Sequence, residues 1–289
     1  MHLVYAVKRI WIRDELVVSP QAPREAYSLW KLCRLAGIRT IPEKIAQSTF
    51  SKHRLGGIRH DDSTWDDETS GYLNGLCTDI SKSHVDAMFE QAFGYSTKID
   101  PTTFHGRAVV KSEINYSGGG AFVTCPIAAE AVLPGHIYQR LVDNETSAGV
   151  VTEYRVSVIC GEITDVIDQR RSIDNRLGGR GRGGGQGSKV CKAEDVFSKR
   201  EIVGLVEFCS LMNLDFGELD VLPDMNEGRL YVLDANKTPS YMVTASSFRF
   251  DRFTLIYRRA RIFRTLLRLR APNAAGIIAV GAAPKSPAA

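Results

Sequence analysis

No G-x-x-x-x-G-K-[ST] sequence occurs in this 289-residue chain, and no G-x-G-x-x-G follows a predicted strand. Both absences argue against a P-loop or a Rossmann dinucleotide site. Six cysteines (Cys33, Cys77, Cys125, Cys160, Cys191 and Cys209) are scattered without a C-x-x-C pair. That is no zinc pattern, and in a chain of this length it reads as reduced, mostly buried thiols. There is no run of 18 apolar residues, so no transmembrane helix is expected. The first residues, MHLVYAVKRIWIRDE, lack the apolar core and small-residue cleavage site of a signal peptide. Together these absences predict a cytoplasmic protein. His53, His60, Asp61, Asp62, Asp66 and Asp67 crowd one stretch, but their spacing fits no ligand set, and they read as solvated loop residues.

What is present is an ordinary globular composition, 44% hydrophobic, with room for one large or two small domains. The charge is uneven. Residues 248–270 (FRFDRFTLIYRRARIFRTLLRLR) carry eight Arg and one Asp, whereas the first 247 residues are net acidic despite an overall +4. This basic stretch reads as a helix with Arg between Phe, Leu and Ile. It fits three roles: a core-packed helix with an Arg-covered outer face, a peripheral membrane contact, or an interface for an acidic partner. Residues 271–289, rich in Ala, Gly and Pro, read as a flexible tail.

Residues 215–241 (DFGELDVLPDMNEGRLYVLDANKTPSY) organise the rest. Residues 216–222 alternate toward a strand, 223–228 are dense in turn formers, and 229–236 return as a second strand. Side chains alternate faces along a strand, so Asp234 and Asn236 point the same way. Pairing Leu222 with Leu230 would put Asp220 diagonally across from Asp234. Two carboxylates and an amide oxygen then converge, a set suited to a hard cation such as Mg²⁺ completed by water and phosphate.

Upstream, 22–37 reads as a helix, 38–41 as a short strand and 42–69 as loop-rich. Residues 85–93 form a helix with Ser83 as N-cap, 108–111 a strand ending at Lys111, and Gly118-Gly119-Gly120 a flexible loop. Three glycines let backbone N–H groups approach an anion, and a strand-end ammonium is a point charge for phosphate. Residues 135–142 and 151–159 read as strands, with a turn at Gly161-Glu162 and a return strand over 163–170. Residues 175–188 (NRLGGRGRGGGQGS) read as a mobile loop, too short and too poor in aromatics to make nucleic-acid binding the better reading. A helix over 194–213 precedes the hairpin.

The order lysine, lysine, glycine loop, glutamine, arginine, acid, acid-x-Asn resembles the ATP-grasp superfamily over residues 82–241. It is similar in style to the glutamate and peptide ligases that use a hinge glutamine. The resemblance implies an α+β fold with two α/β lobes sandwiching the nucleotide, a reduced N-terminal region (1–79), an ATP-grasp domain (80–247) with its lobe boundary near 139–143, and the basic helix (248–270). It implies ATP contacts at Lys82, Lys111, Gly118, Gly119, Gly120, Gln139 and Leu141. Mg²⁺ falls to Asp220, Asp234 and Asn236, and transition-state charge to Arg155 and to Arg170 or Arg171, of which Arg171 is carried forward. The chain departs from the pattern in having Asp at 234, where Glu is usual, and Ser240 after the Pro. The implied reaction activates a carboxylate as an acyl phosphate for attack by an amine. The alternatives are phosphorylation of a hydroxyl and non-catalytic binding of ATP or a partner.

Overall fold

The computed structural model describes residues 14–61, 71–114, 119–177, 185–240 and 249–278. Three sheets and five helices fill them. The first sheet is parallel, in the order β2-β1-β3-β4, from β1 (Asp14–Ser19), β2 (Ile38–Pro42), β3 (Arg54–Arg59) and β4 (Tyr72–Leu73). Helix α1 (Ser28–Ala36) connects β1 to β2, and α2 (Glu43–Ser48) leads to β3. The stretch 42–69 is therefore not a loop as far as it is described. Strand β3 (RLGGIR) escapes a pattern search because two glycines interrupt it, and Gly57 is needed there: a Cβ would lie 2.4 Å from the Tyr72 ring.

Helix α3 (Lys82–Phe93) follows. Its N-cap is Ser81, whose hydroxyl accepts from the His84 N–H, and not Ser83 as the sequence suggested. Ser83 instead donates its N–H to Glu113, at 2.9 Å. Lys82 is thus the first helical residue. A three-stranded antiparallel sheet, β6-β5-β7, comes next: β5 (Gly106–Ser112), β6 (Ala121–Cys125) and β7 (His136–Arg140).

The largest sheet is antiparallel, in the order β11-β10-β9-β12-β13, with the short β8 (Glu145–Ser147) on β9. Its strands are β9 (Val150–Ile159), β10 (Glu162–Ser172), β11 (Gly185–Cys191), β12 (Phe216–Asp224) and β13 (Arg229–Asn236). Strand β11 corrects the end of the stretch read as a mobile loop, where Gly185, Gly187 and Ser188 pair with Arg171, Arg170 and Gln169; residues 178–184 of it lie outside the described residues. The helix expected over 194–213 is a 3-10 turn, Ala193–Asp195, then α4 (Lys199–Leu211), opened by a capping box between Ser198 and Glu201.

The two faces of the large sheet differ. Val156, Val158, Val166, Leu219, Val221, Val232 and Ala235 pack under α3 and α4 with Phe89, Leu205 and Phe208. Beneath the other face lies α5 (Arg249–Ile278), which extends beyond the expected 248–270 into the stretch read as tail. Its Ala260, Phe263 and Leu267 join Ile159 and Phe216 of the large sheet to Leu16 and Ile58 of the parallel sheet and Leu32 of α1. The core-packed role is the one observed, and several of its arginines end on acids of the body: Arg264 and Arg268 on Asp14, Arg270 on Asp215, Arg259 on Asp165. No helix among the described residues is long and apolar enough to cross a membrane. All six cysteines are free, five of them buried.

Asn74 ties the parallel sheet to the large one. Its Oδ1 accepts from the N–H groups of Asp215 (2.8 Å) and Phe216 (2.9 Å), and its Nδ2 donates to the Phe216 carbonyl (2.7 Å). It is fully buried at φ 56°, a conformation Asn tolerates better than most residues. Asn74→Ala leaves these backbone groups unpaired, and urea denaturation is expected to show a loss of about 2–4 kcal/mol. A loss within experimental error of zero would refute the role.

Candidate functional site

The hairpin β12–β13 carries the expected acids in a tighter register than the sequence suggested. Asp220 lies directly opposite Asp234, not diagonal to it, and Glu218 is opposite Asn236. The reason is a bulge. Val221 pairs with Val232, so Leu233 is an extra residue on β13. In a regular strand Val232 and Asp234 would share a face. With the bulge, Val232 points into the helix-covered core while Asp234 joins Asp220 on the other side, a re-aiming such bulges commonly provide.

That face continues onto β9 and β10. Arg155 pairs with Asp220 across β9–β12, and its Nε donates to Asp220 Oδ1 at 3.0 Å. Glu153, two residues away, takes Arg171 through both carboxylate oxygens, at 3.0 and 3.1 Å. Arg170 turns to Asp168 instead, which resolves the choice between the two arginines in favour of Arg171 for this face.

Opposite stands Lys111 of β5. Burial lowers its pKa, and the charge of Asp234 pushes back, with Lys82, Glu153 and Asp220 also felt. The lysine of the small sheet and the acids of the large one therefore face each other. Gly120 packs on the lysine stem: a Cβ there would lie 2.9 Å from Val109 Cγ1 and 3.1 Å from Lys111 Cγ. Gly119 has a φ of +53° and open space around it; Gly118 lies outside the described residues. Gln139 shares the Lys111 face, since Val109 pairs with Gln139 and Lys111 with Ile137. It is 2% exposed, donates from Nε2 to Thr97 Oγ1 at 2.8 Å, and its Oε1 accepts nothing. Leu141 is half-buried and its N–H is taken by the Arg107 carbonyl, at 3.2 Å. Arg176 clamps the following segment through the Val142 carbonyl (2.7 Å) and Asn144 Oδ1 (2.9 Å).

Lys82 and Lys111 thus stand within electrostatic reach of Asp234 across the cleft between the two sheets, with Gln139 on the Lys111 face. Two carboxylates and the Asn236 amide, which also accepts from the Thr238 N–H, form a hard-oxygen donor set fit for a cation that phosphate would help to ligate. Among the described residues no group of three or more His, Cys, Asp and Glu could hold a metal alone. Sequence reading missed three contributors. Glu218 is a buried acid and Glu153 a half-buried one, in strands whose polar positions read as solvent-facing. Lys237 is fully buried, its Nζ 3.1 Å from Asp61 and 3.0 Å from the Cys77 carbonyl, fastening the end of β13 to the parallel sheet.

No family model and no curated protein matches the chain. Solved structures do. A structure of the ATP-grasp ligase PsnB complexed with a minimal precursor aligns with a TM-score of 0.57 at 12% identity, covering 89% of this chain and 100% of that one. D-alanine–D-alanine ligase from Bacillus anthracis aligns at 0.53 and 14%, covering 90% and 98%. PsnB with minimal precursor, Mg and ADP aligns at 0.52 and 11%, covering 88% and 98%. The chain has the ATP-grasp fold. Within that fold the cleft described here lies between the β6-β5-β7 sheet and the large sheet.

Burial and the Asp220 charge raise the pKa of Asp234 from 3.8 to about 6. The folded chain then holds this proton more tightly than the unfolded one. The stability it contributes is complete below about pH 4 and is lost as the pH rises through about 6. Asp234→Asn should therefore raise the thermal midpoint of the nucleotide-free protein at pH 7.5, by the equivalent of about 1–3 kcal/mol. The gain should vanish toward pH 4. A destabilised variant at pH 7.5 would contradict the buried like-charge pair.

Proposed function

We propose that the protein is an ATP- and Mg²⁺-dependent ligase that activates a carboxylate, of a peptide or a small molecule, as an acyl phosphate for attack by an amine. The observation that carries this reading is the direct opposition of Asp220 and Asp234, with Asn236 on the same face and Lys82 and Lys111 within electrostatic reach. The fold adds to it, because PsnB and D-alanine–D-alanine ligase, whose structures align over most of the chain, are ligases.

In this reading Lys82 and Lys111 hold the phosphates, and Gly118-Gly119-Gly120 closes over them, Gly120 keeping the Lys111 stem in place. The unpaired Oε1 of Gln139 accepts from the adenine amino group, and Leu141 supplies apolar contact at the lobe boundary near 139–143. Asp220, Asp234 and Asn236 hold Mg²⁺, which would neutralise phosphate charge. Arg155 and Arg171 face the charge that spreads over the transferred phosphoryl group. No nucleophilic side chain is required, because positioning and electrostatics carry such a transfer. A cytoplasmic location, with its ATP supply, suits this activity.

Calorimetric titration of ATP, with and without Mg²⁺, tests the reading. Binding in the micromolar range that requires Mg²⁺ and weakens at least tenfold in Lys111→Ala is the expected result, about 1.4 kcal/mol or more. Failure of the folded wild type to bind ATP would refute it. With candidate carboxylates supplied, phosphate release that depends on an amine marks the ligase, and a stable phosphorylated product marks a kinase.

A further inference from the structure

Glu218, like Asp165, is an acid of the site face that meets the C-terminal helix. It is 3% exposed and lies between two arginines. Its Oε2 is 3.8 Å from Arg155 Nε, and its Oε1, which accepts no hydrogen bond, is 3.7 Å from Arg259 of α5. Arg259 is fully buried, and its Nε donates to both oxygens of Asp165, at 2.9 and 3.1 Å. Asp220 competes with Glu218 for Arg155 and holds it more closely, at 3.0 Å. An unbroken line of charge therefore runs from α5 to the proposed cation site: Asp165, Arg259, Glu218, Arg155, Asp220.

We propose that Arg259 is a positioning residue for the phosphate-facing Arg155, acting through Glu218; this rests on the Mg·ATP reading above. The physical case is competition for one guanidinium. A buried carboxylate without a cation is strongly destabilising, so Glu218 takes whichever arginine it can reach. With Arg259 on its far side, Glu218 leaves Arg155 to Asp220, at the end of the face where phosphate is bound. Without Arg259, Arg155 is the remaining cation beside Glu218 and is drawn toward it, away from Asp220. A change made on the C-terminal helix then reaches the phosphate site with no contact to the ligand.

The experiment reads the preference for ATP over ADP, because Arg155 faces the phosphate that only ATP has. Asp165 would lose its closest cation in an Arg259 variant, with Arg258 left at 3.7 Å, so the two are neutralised together as Asp165→Asn/Arg259→Met. Calorimetry with Mg·ATP and Mg·ADP should show the ratio of affinities falling about tenfold, mostly through ATP. Adding Glu218→Gln, which no longer pulls on Arg155, should restore the ratio to within about threefold of wild type. In an Arg155→Met background the double change should move the ratio no further. A merely structural role would weaken ATP and ADP together, or give independent losses with Arg155→Met, and either result overturns the proposal. So does a ratio that Glu218→Gln does not restore. Absence of nucleotide binding by the wild type would instead overturn the underlying reading, and the inference with it.

Discussion

The constraint on which this structure turns is that one face of a single sheet carries Glu153, Asp165, Glu218, Asp220 and Asp234 close together. Like charges facing one another across strands are unfavourable, and burial makes them more so. The consequences are visible in the titration of the group: burial, reinforced by Asp220, raises the pKa of Glu153 and Asp234, and it raises Glu218 to about 7. The cations that relieve the face come from within the sheet and from outside it: Arg155 and Arg171 from its own strands β9 and β10, Lys111 from the small sheet, Arg259 from α5. Arg155 is the most strongly affected in return, its pKa raised first of all by Asp220.

This arrangement explains the uneven charge along the chain. The acidic body and the basic terminal helix are complementary halves of one interior. The arginines of α5 lie 41 to 254 positions from the acids they meet, from Arg259 with Glu218 to Arg268 with Asp14, and they close the parallel sheet onto the large one. The helix is consequently both an apolar wedge, through Phe263 on Phe216, and an electrostatic brace. Its membrane-like alternation of Arg with Phe and Leu has this second explanation, since Arg259 is wholly inside.

The sequence made some of this readable. The hairpin was legible because turn chemistry at 223–228 separates two alternating runs, and the helix ends at Gly37 and Gly94 because only a left-handed residue closes them comfortably. The lysine, glycine and acid positions came from their order along the chain, and Lys82 and Lys111 stand within electrostatic reach of Asp234. The register was not legible. A single extra residue, Leu233, reverses the facing of everything after it, and nothing in the alternation of β13 announces a bulge. Strands β3 and β11 were missed because glycines mask them. Glu218 was missed for a different reason: a polar residue at a strand position reads as solvent-facing, and the arginine that lets it stay buried lies 41 residues on, in another element.

The same logic accounts for why the cleft is built between sheets rather than within one. Under the Mg·ATP reading proposed above, acids that accept a cation and phosphates are not fully neutralised beforehand, or nothing would be gained by binding. The protein therefore leaves Asp234 with its raised pKa beside Asp220, while lysines stand across the cleft on a separate sheet. Further along the face, Asp165 is ion-paired with the buried Arg259, and Glu218, its own pKa raised to about 7 by burial, lies between Arg259 and Arg155. The face is thus graded, from apolar at Ile159 and Phe216, through acids flanked by arginine, to the Asp220–Asp234 pair at the cleft. Arg155 sits at the boundary between the last two zones, touching an acid of each, which is why its placement is the most exposed to changes made elsewhere in the fold.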